Sequence, residues 1–162
     1  QMKKDIKNMD SNDKFFNIEQ LLRDGNTIKI KPQGYSMYPL FFPGRDEAVI
    51  EPVDPAALRR GDVALYRRRE SILVLHRIWK IRGQSFYMVG DNQTEIEGPL
   101  EADQFLGKLC AFVHNGHSVS VKNPLYRMLT SLWLLLRPFR PFLSGIAYRL
   151  KHLGRPSADQ EK

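Results

Sequence analysis

The spacing of apolar and polar positions divides the chain into three parts. Residues 13–24 carry apolar side chains at helical spacing and predict a short N-terminal helix. From residue 27 the period changes to two, which is typical of β-strands. After Asn123 the helical spacing returns, interrupted by Pro138 and Pro141, which break helices. The pattern therefore predicts a β-rich middle between two helical ends.

Short strand candidates follow one another through this middle part. They cover residues 27–31, 47–53, 62–68, 71–81, 85–90, 105–113 and 117–122. Pairs of Gly, Pro, Asn and Asp lie between them and predict turns, among them Gly98-Pro99. Many short strands joined by turns favour a mainly β fold of antiparallel strands, either a sandwich or a partly open barrel.

The same pattern suggests an organisation in four segments. They are a lead and short helix over 1–25, a β-rich domain over 26–122, a helical, basic and amphipathic region over 123–153, and a polar tail over 154–162. A length of 162 residues fits one domain with a real core, and 42% hydrophobic with 27% charged residues is a globular composition.

The formal net charge is +7, and the excess is concentrated near the end of the chain. Between Lys122 and Arg155 there are seven basic residues and no acidic one, which indicates an acidic partner, an anionic membrane surface or nucleic acid. The apolar run LTSLWLLL is too short to span a bilayer. Two interpretations of 123–153 stay open: binding to a membrane interface, or packing on the β-core or on a partner protein. Nucleic acid is disfavoured, because the basic residues alternate with leucines.

The expected location is cytoplasmic or peripherally membrane-associated. The first residues are polar and charged, without the apolar segment of a signal peptide, and no stretch reaches the roughly 18 to 20 apolar residues of a spanning helix. Cys110 is the single cysteine, so an intrachain disulfide is excluded and a reducing compartment is favoured. Its apolar, strand-like surroundings indicate a structural thiol rather than a nucleophile.

Candidate chemistry begins with Ser36, which lies in the stretch PQGYSMYPL at residues 32–40. Taken alone, this stretch predicts a turn, because a Gly and a Pro lie on either side of the serine. A serine is a weak nucleophile unless a base takes its proton, so a catalytic role requires a base elsewhere in the chain. His76 lies in the strongest strand pattern, where it is either a core histidine or a base on a rigid element. Asp91 follows in Gly-Asp-Asn, which is either a plain turn or the position of a carboxylate that orients the imidazole.

In this order the segments resemble the signal peptidase I-like serine peptidases, a superfamily that includes the autoproteolytic SOS-repressor group. The resemblance is carried by GYSMYPLFFPGRDEAVI, LRRGDVALYRR, VLHRI, FYMVGDN and FLGKL, which extend over about residues 20 to 113. The base position holds His76 rather than lysine. This is similar to the endoplasmic-reticulum, archaeal and endospore-former signal peptidases, in which a histidine acts with an aspartate. The resemblance implies the signal-peptidase/SOS-repressor-like β-fold, and neither a cofactor nor a metal.

The resemblance also implies roles for individual residues. Ser36 would attack the scissile carbonyl and His76 would carry the proton to the leaving amine. Asp91 matches the aspartate of the family's Gly-Asp-Asn and is expected to orient His76. Glu97 lies at about the position of a second family carboxylate and is the alternative orienter.

The loop around the nucleophile has implied roles as well. The backbone N–H of Ser36 would form part of an oxyanion hole. Met37 would pack beside the substrate cleft, and Pro39 would stiffen the loop. An unperturbed histidine titrates near 6.5, so activity is expected to rise with pH close to neutrality.

The implied activity is that of a serine endopeptidase acting on a peptide or precursor protein, with cleavage after small residues. Two departures from the family stand against it: a polar lead replaces the usual apolar anchor before Ser36, and Glu95-Ile96-Glu97 replaces the carboxylate pair. The alternative is a binding or regulatory module that keeps the fold without turnover and binds a membrane surface or a partner through residues 123–153.

Overall fold

A computed structural model describes residues 18–68 and 72–136 of the protein. The predicted helical residues 13–17, the residues 137–153 and the tail 154–162 lie outside the described residues. Residues 18–23 form helix α1. The strands are β1 Ile28–Ile30, β2 Glu47–Pro52, β3 Val63–Arg67, β4 Leu73–Arg82, β5 Ser85–Val89, β6 Glu97–Leu100, β7 Phe105–His114 and β8 His117–Ser120. Helix α2 runs over Pro124–Leu135.

These strands form one antiparallel sheet in the order β1-β2-β7-β3-β4-β5-β6, with β8 beside β7. The prediction of a mainly β structure built from short antiparallel strands is confirmed. Seven of the strands coincide with the sequence candidates to within two residues at each end, because alternating apolar residues and turn residues bound them.

Strand β6 corrects the prediction of a turn at Gly98-Pro99. Both residues lie inside β6, which pairs with β5 and forms one edge of the sheet. Proline has no N–H for a sheet ladder, and an edge strand tolerates it where a central strand does not. Gly98 is in the left-handed region (φ +146°), and a Cβ there would lie 2.7 Å from the carbonyl oxygen of Phe86. Glycine at position 98 therefore allows β6 to approach β5 closely, although Gly98-Pro99 has the composition of a turn.

Strand β3 lies between two hydrophobic clusters. Val63 and Leu65 belong to the first cluster, whereas Ala64 and Tyr66 belong to the second. Since successive side chains of a strand point to opposite faces, β3 is buried on both sides of the sheet. The second cluster also contains Ile78 of β4.

Helix α2 begins at a capped N-terminus and packs back on the sheet. The side chain of Asn123 accepts a hydrogen bond from the N–H of Leu125 (2.9 Å), and Pro124 occupies the first turn. Leu134 is buried and lies 3.9 Å from the position of a Cβ at Gly61. Over residues 18–68 and 72–136, no helix has both the length and the apolar character needed to cross a membrane.

Candidate active site

Ser36 lies on the loop that joins β1 to β2. Gly34 has a φ of +78°, a left-handed conformation that glycine adopts without steric cost. On the other side of Ser36, Met37 and Phe41 are buried in the first hydrophobic cluster, and the N–H of Phe41 donates to the carbonyl of Met37 (3.0 Å). The loop is therefore anchored by its apolar residues, while Ser36 stays half-buried at the surface.

His76 is held by the centre of the sheet. It pairs with Ala64 of β3, and only 4% of its surface is exposed. Its Nδ1 lies 3.1 Å from the hydroxyl of Tyr66. Burial lowers the pKa of His76 to about 4, although the nearby carboxylate of Glu97 opposes this shift. The imidazole is therefore neutral at neutral pH, the form that can accept a proton.

Ser36 and His76 line the same cleft, which has a volume of about 480 Å³. Its other lining side chains are mainly apolar, including Ile30, Leu65 and Leu75. No hydrogen bond joins Ser36 to His76 in the part of the chain that the structure describes. In structures without substrate, such contacts are often long and tighten only when substrate binds.

Asp91 lies on the turn after β5, where it forms a buried ion pair with Arg77. Nε and Nη2 of Arg77 donate to its two carboxylate oxygens at 2.8 and 2.7 Å. Nη1 of Arg77 donates to the carbonyl of Gly61 (2.8 Å). Burial opposes the charge of Arg77, yet Asp91 keeps the pKa of this guanidinium above its usual value. Asp91 is thus engaged with the residue that follows His76.

The same turn also contacts the backbone of the Ser36 loop. The N–H of Asn92 donates to the carbonyl of Ser36 (2.8 Å). A Cβ at Gly90 would lie 2.6 Å from this carbonyl oxygen, so the approach requires glycine. From the other side, Nε1 of Trp133 in α2 donates to the carbonyl of Asp91 (2.9 Å). The Gly-Asp-Asn turn therefore joins helix α2 to the loop of Ser36.

Glu97 of β6 lies behind His76. Its Oε2 is 3.8 Å from Nδ1 of the imidazole, which is too long for a hydrogen bond. It accepts a hydrogen bond from the hydroxyl of Tyr66 (2.6 Å) and two from Arg68 (2.6 Å each). Burial opposes the charge of Glu97, but the bonds from Arg68 and Tyr66 outweigh it and lower its pKa. Glu97 is therefore a carboxylate near His76.

The end of the Ser36 loop is fixed by Asp46, which is fully buried. Asp46 accepts hydrogen bonds from Nε of Arg45 (2.7 Å) and from the N–H of Phe42 (2.9 Å), and His114 lies 3.2 Å away. The bond from Arg45 is the main reason that the pKa of Asp46 falls to about 2. Arg45 is thus a structural partner of Asp46 at the end of this loop. Pro39 is exposed and lines a different cavity, beside α2.

The structure brings together residues that the sequence reasoning did not single out. Tyr66 lies inside β3 and Arg68 directly follows it, in the stretch ALYRR, and both looked like ordinary strand residues. Trp133 belongs to a helix outside the family resemblance. One signal was available: Ala64 and Tyr66 lie two residues apart on one face of β3, and Ala64 pairs with His76. This places Tyr66 near the imidazole only once the register of β3 on β4 is known.

No protein-family model matches this sequence, and no curated protein matches it significantly. Among the residues that the structure describes, no group of three or more His, Cys, Asp and Glu side chains is arranged to hold a metal ion.

Proposed function

We propose that the protein is a serine endopeptidase of the signal-peptidase type, with Ser36 as nucleophile and His76 as general base. One observation carries the proposal: a half-buried serine on an anchored loop and a buried, neutral histidine on a central strand line one cleft. A neutral imidazole is the form that a general base requires, and a rigid strand is the element that holds it best.

The proposed reaction runs in two steps. Oγ of Ser36 bonds to the carbonyl carbon of the substrate while His76 takes the hydroxyl proton. The carbon–nitrogen bond then breaks, and His76 returns that proton to the leaving amine, which leaves an acyl ester on Ser36. In the second step His76 takes a proton from water, whose oxygen attacks the ester carbon. The bond to Oγ then breaks, and His76 gives the proton to Oγ, which releases the acid and regenerates Ser36 and neutral His76. The N–H of Ser36 is the proposed oxyanion donor.

Glu97 is the better candidate for assisting His76 than Asp91. Both oxygens of Asp91 accept bonds from Arg77, whereas Glu97 lies 3.8 Å from Nδ1 of the imidazole. A carboxylate at this distance stabilises the imidazolium that forms during the reaction. In this proposal Asp91 holds the turn that positions the backbone of Ser36.

The substrate is proposed to bind as an extended peptide. Residues 73–76 of β4 pair with β3 on one side, while the pairing of β4 with β5 begins only at Arg77. Leu73, Val74 and Leu75 line the cleft beside His76. A peptide that adds to this strand edge would form main-chain hydrogen bonds, and its side chains would enter the apolar cleft.

The test is cleavage of a proteome-derived peptide library by the wild-type protein and by Ser36→Ala, with new termini mapped by mass spectrometry. We expect wild type to produce termini that Ser36→Ala does not. The matched control is Ser118→Ala, which changes an exposed serine of β8 and should cleave like wild type. Equal maps for wild type and Ser36→Ala would overturn the proposal and leave the non-catalytic module as the better account.

We also propose that helix α2 binds an anionic membrane surface. Leu125, Met128, Leu129, Leu132 and Leu135 are each at least half exposed and recur at helical spacing along one side. An apolar groove of about 490 Å³ joins this side to Pro39 and Leu40 of the nucleophile loop. Seven basic and no acidic residues between Lys122 and Arg155 favour anionic lipid over a neutral surface.

A further inference from the structure

The hydroxyl of Tyr66 is placed between the imidazole of His76 and the carboxylate of Glu97. It lies 3.1 Å from Nδ1 of His76 and 2.6 Å from Oε2 of Glu97. The direct separation of Nδ1 and Oε2, 3.8 Å, is too long for a hydrogen bond. The only hydrogen-bonded path that the described residues provide between the base and this carboxylate therefore passes through Tyr66.

The direction of the two hydrogen bonds follows from the number of protons available. A tyrosine hydroxyl has one proton to donate and lone pairs to accept. Glu97 is held as a carboxylate by Arg68 and can only accept, so the hydroxyl proton of Tyr66 points to Glu97. Burial, with the bond to Glu97, raises the pKa of Tyr66, which keeps this proton in place. The oxygen of Tyr66 must then accept from His76.

We infer that Tyr66 is a positioning residue that fixes His76 in the tautomer with its proton on Nδ1 and its lone pair on Nε2. This inference rests on the proposed function for its catalytic meaning, because Nε2 is then the atom available to take the proton of Ser36. It transmits the negative charge of Glu97 to the imidazole through one hydroxyl, where the commoner arrangement is a carboxylate bonded directly to histidine.

The side chains around Tyr66 support a fixed rather than a rotating hydroxyl. Tyr66 is fully buried, its ring packs on Phe105 with centroids 5.7 Å apart, and its backbone lies in the centre of the sheet. Arg68 holds Glu97 through both carboxylate oxygens. The hydroxyl of Tyr66 is bonded on both sides, so it keeps one arrangement, because rotation would leave a buried polar group unsatisfied.

The test is ¹⁵N NMR of protein labelled at its four histidines, with the His76 signals assigned by their loss in His76→Gln. Wild type should show a protonated Nδ1 and an unprotonated Nε2 at neutral pH. Tyr66→Phe should shift the imidazole toward the other tautomer, whereas Tyr87→Phe on β5 should not. A protonated Nε2 in wild type, or an unchanged tautomer in folded Tyr66→Phe, would overturn the inference. The wild-type measurement decides even if Tyr66→Phe does not fold.

A pH titration of the His76 imidazole in a second variant, Glu97→Gln, tests the other end of the path. The charged groups that face His76 are Glu97, Arg68 and Asp91, and Glu97 is the larger of the two acidic influences. Glu97→Gln should therefore move the titration of His76 to lower pH. An unmoved titration would contradict the inferred path from Glu97 to the imidazole.

The kinetic arm separates this inference from the proposed function. Tyr66→Phe should lower kcat by about 100-fold with little change in KM, since it affects the base rather than the substrate contacts. The kcat of Tyr87→Phe should lie within about twofold of the wild-type value. If every cleavage made by wild type is also made by Ser36→Ala, the proposed function fails, while the tautomer measurement still tests the role of Tyr66. If cleavage requires Ser36 and Tyr66→Phe retains full kcat, only the role of Tyr66 fails.

Discussion

At the scale of single residues, the chemistry of the candidate site depends on burial. A histidine in water titrates near 6.5, whereas His76 is 4% exposed and has a pKa lowered to about 4. Burial lowers this pKa because the protonated imidazole loses its hydration, and the attraction of the Glu97 carboxylate offsets only part of the effect. The expectation of a rise in activity close to neutrality therefore changes once the tertiary structure is known.

The corresponding prediction concerns the pH dependence of peptide cleavage. The active form has neutral His76, which protonates as pH falls, so kcat/KM should rise with pH through about 4 and be flat between 6 and 8. The measurement is kcat/KM on one peptide found in the library experiment, from pH 3.5 to 9. His117→Gln, which changes an exposed histidine of β8, should leave the profile unchanged. A rise only at alkaline pH would instead point to a lysine base.

At the scale of elements, the site is assembled where a turn meets a loop. The turn after β5 binds the carbonyl of Ser36 through the N–H of Asn92, and α2 binds the carbonyl of Asp91 through Trp133. Neither contact involves the side chain of Ser36, so both act on where the backbone presents it. Glycine at position 90 allows this approach, because any side chain would contact the carbonyl oxygen.

Replacing that glycine should separate activity from stability. In Gly90→Ala the new Cβ would lie 2.6 Å from the carbonyl oxygen of Ser36, which must shift. A displacement of about 1 Å can lower the rate by about 100-fold. The overpacking should also lower the free energy of unfolding by about 1–3 kcal/mol. Both quantities can be measured on one preparation, by peptide cleavage and by urea denaturation.

Gly83→Ala is the matched control for this prediction. Gly83 has a φ of +56° and open space around it, so alanine there has backbone strain of about 1–2 kcal/mol without a clash. Its loss of stability should resemble that of Gly90→Ala, while its activity should equal that of wild type. Equal activities for the two variants would show that the turn does not position Ser36.

At the scale of the whole molecule, the exposed apolar side of α2 belongs to the part of the sequence in which basic residues are concentrated. The exposed side of α2 is continuous, through an apolar groove, with the loop that carries Ser36. Tyr38 and Phe42 of this loop are also partly exposed, and their rings contact each other edge to face. A membrane bound at α2 would thus lie beside the cleft and present substrates held at the lipid surface.

Vesicle flotation tests this arrangement with the full chain. We expect binding to phosphatidylcholine vesicles that contain phosphatidylglycerol, weaker binding to phosphatidylcholine alone, and weakening by salt. Met128→Ser combined with Leu132→Ser should reduce binding about tenfold or more, since it removes apolar area from the contact. Ile72→Ser is the control, because Ile72 is as exposed as Leu132, at 50%, but lies outside α2. Equal flotation of these two variants, or none for wild type, would contradict the proposal.

The sequence by itself determined seven of the eight described strands, most of the turns and the positions of Ser36 and His76 as candidates. Alternation of apolar residues is a local property, and it depends on the neighbouring residues alone. This alternation does not predict strand β6, because Gly98-Pro99 has the composition of a turn. Its strand conformation depends on pairing with β5 at the edge of the sheet.

The tertiary structure alone decided how those candidates are combined. In the sequence Asp91 was the expected partner of His76 and Glu97 the alternative, and both are acidic residues after the same strand. Only the fold assigns Asp91 to Arg77 and brings Glu97 to Tyr66 across the sheet. The physical reason is that strand register and burial are set by contacts between residues distant in sequence, and pairing and pKa follow from them.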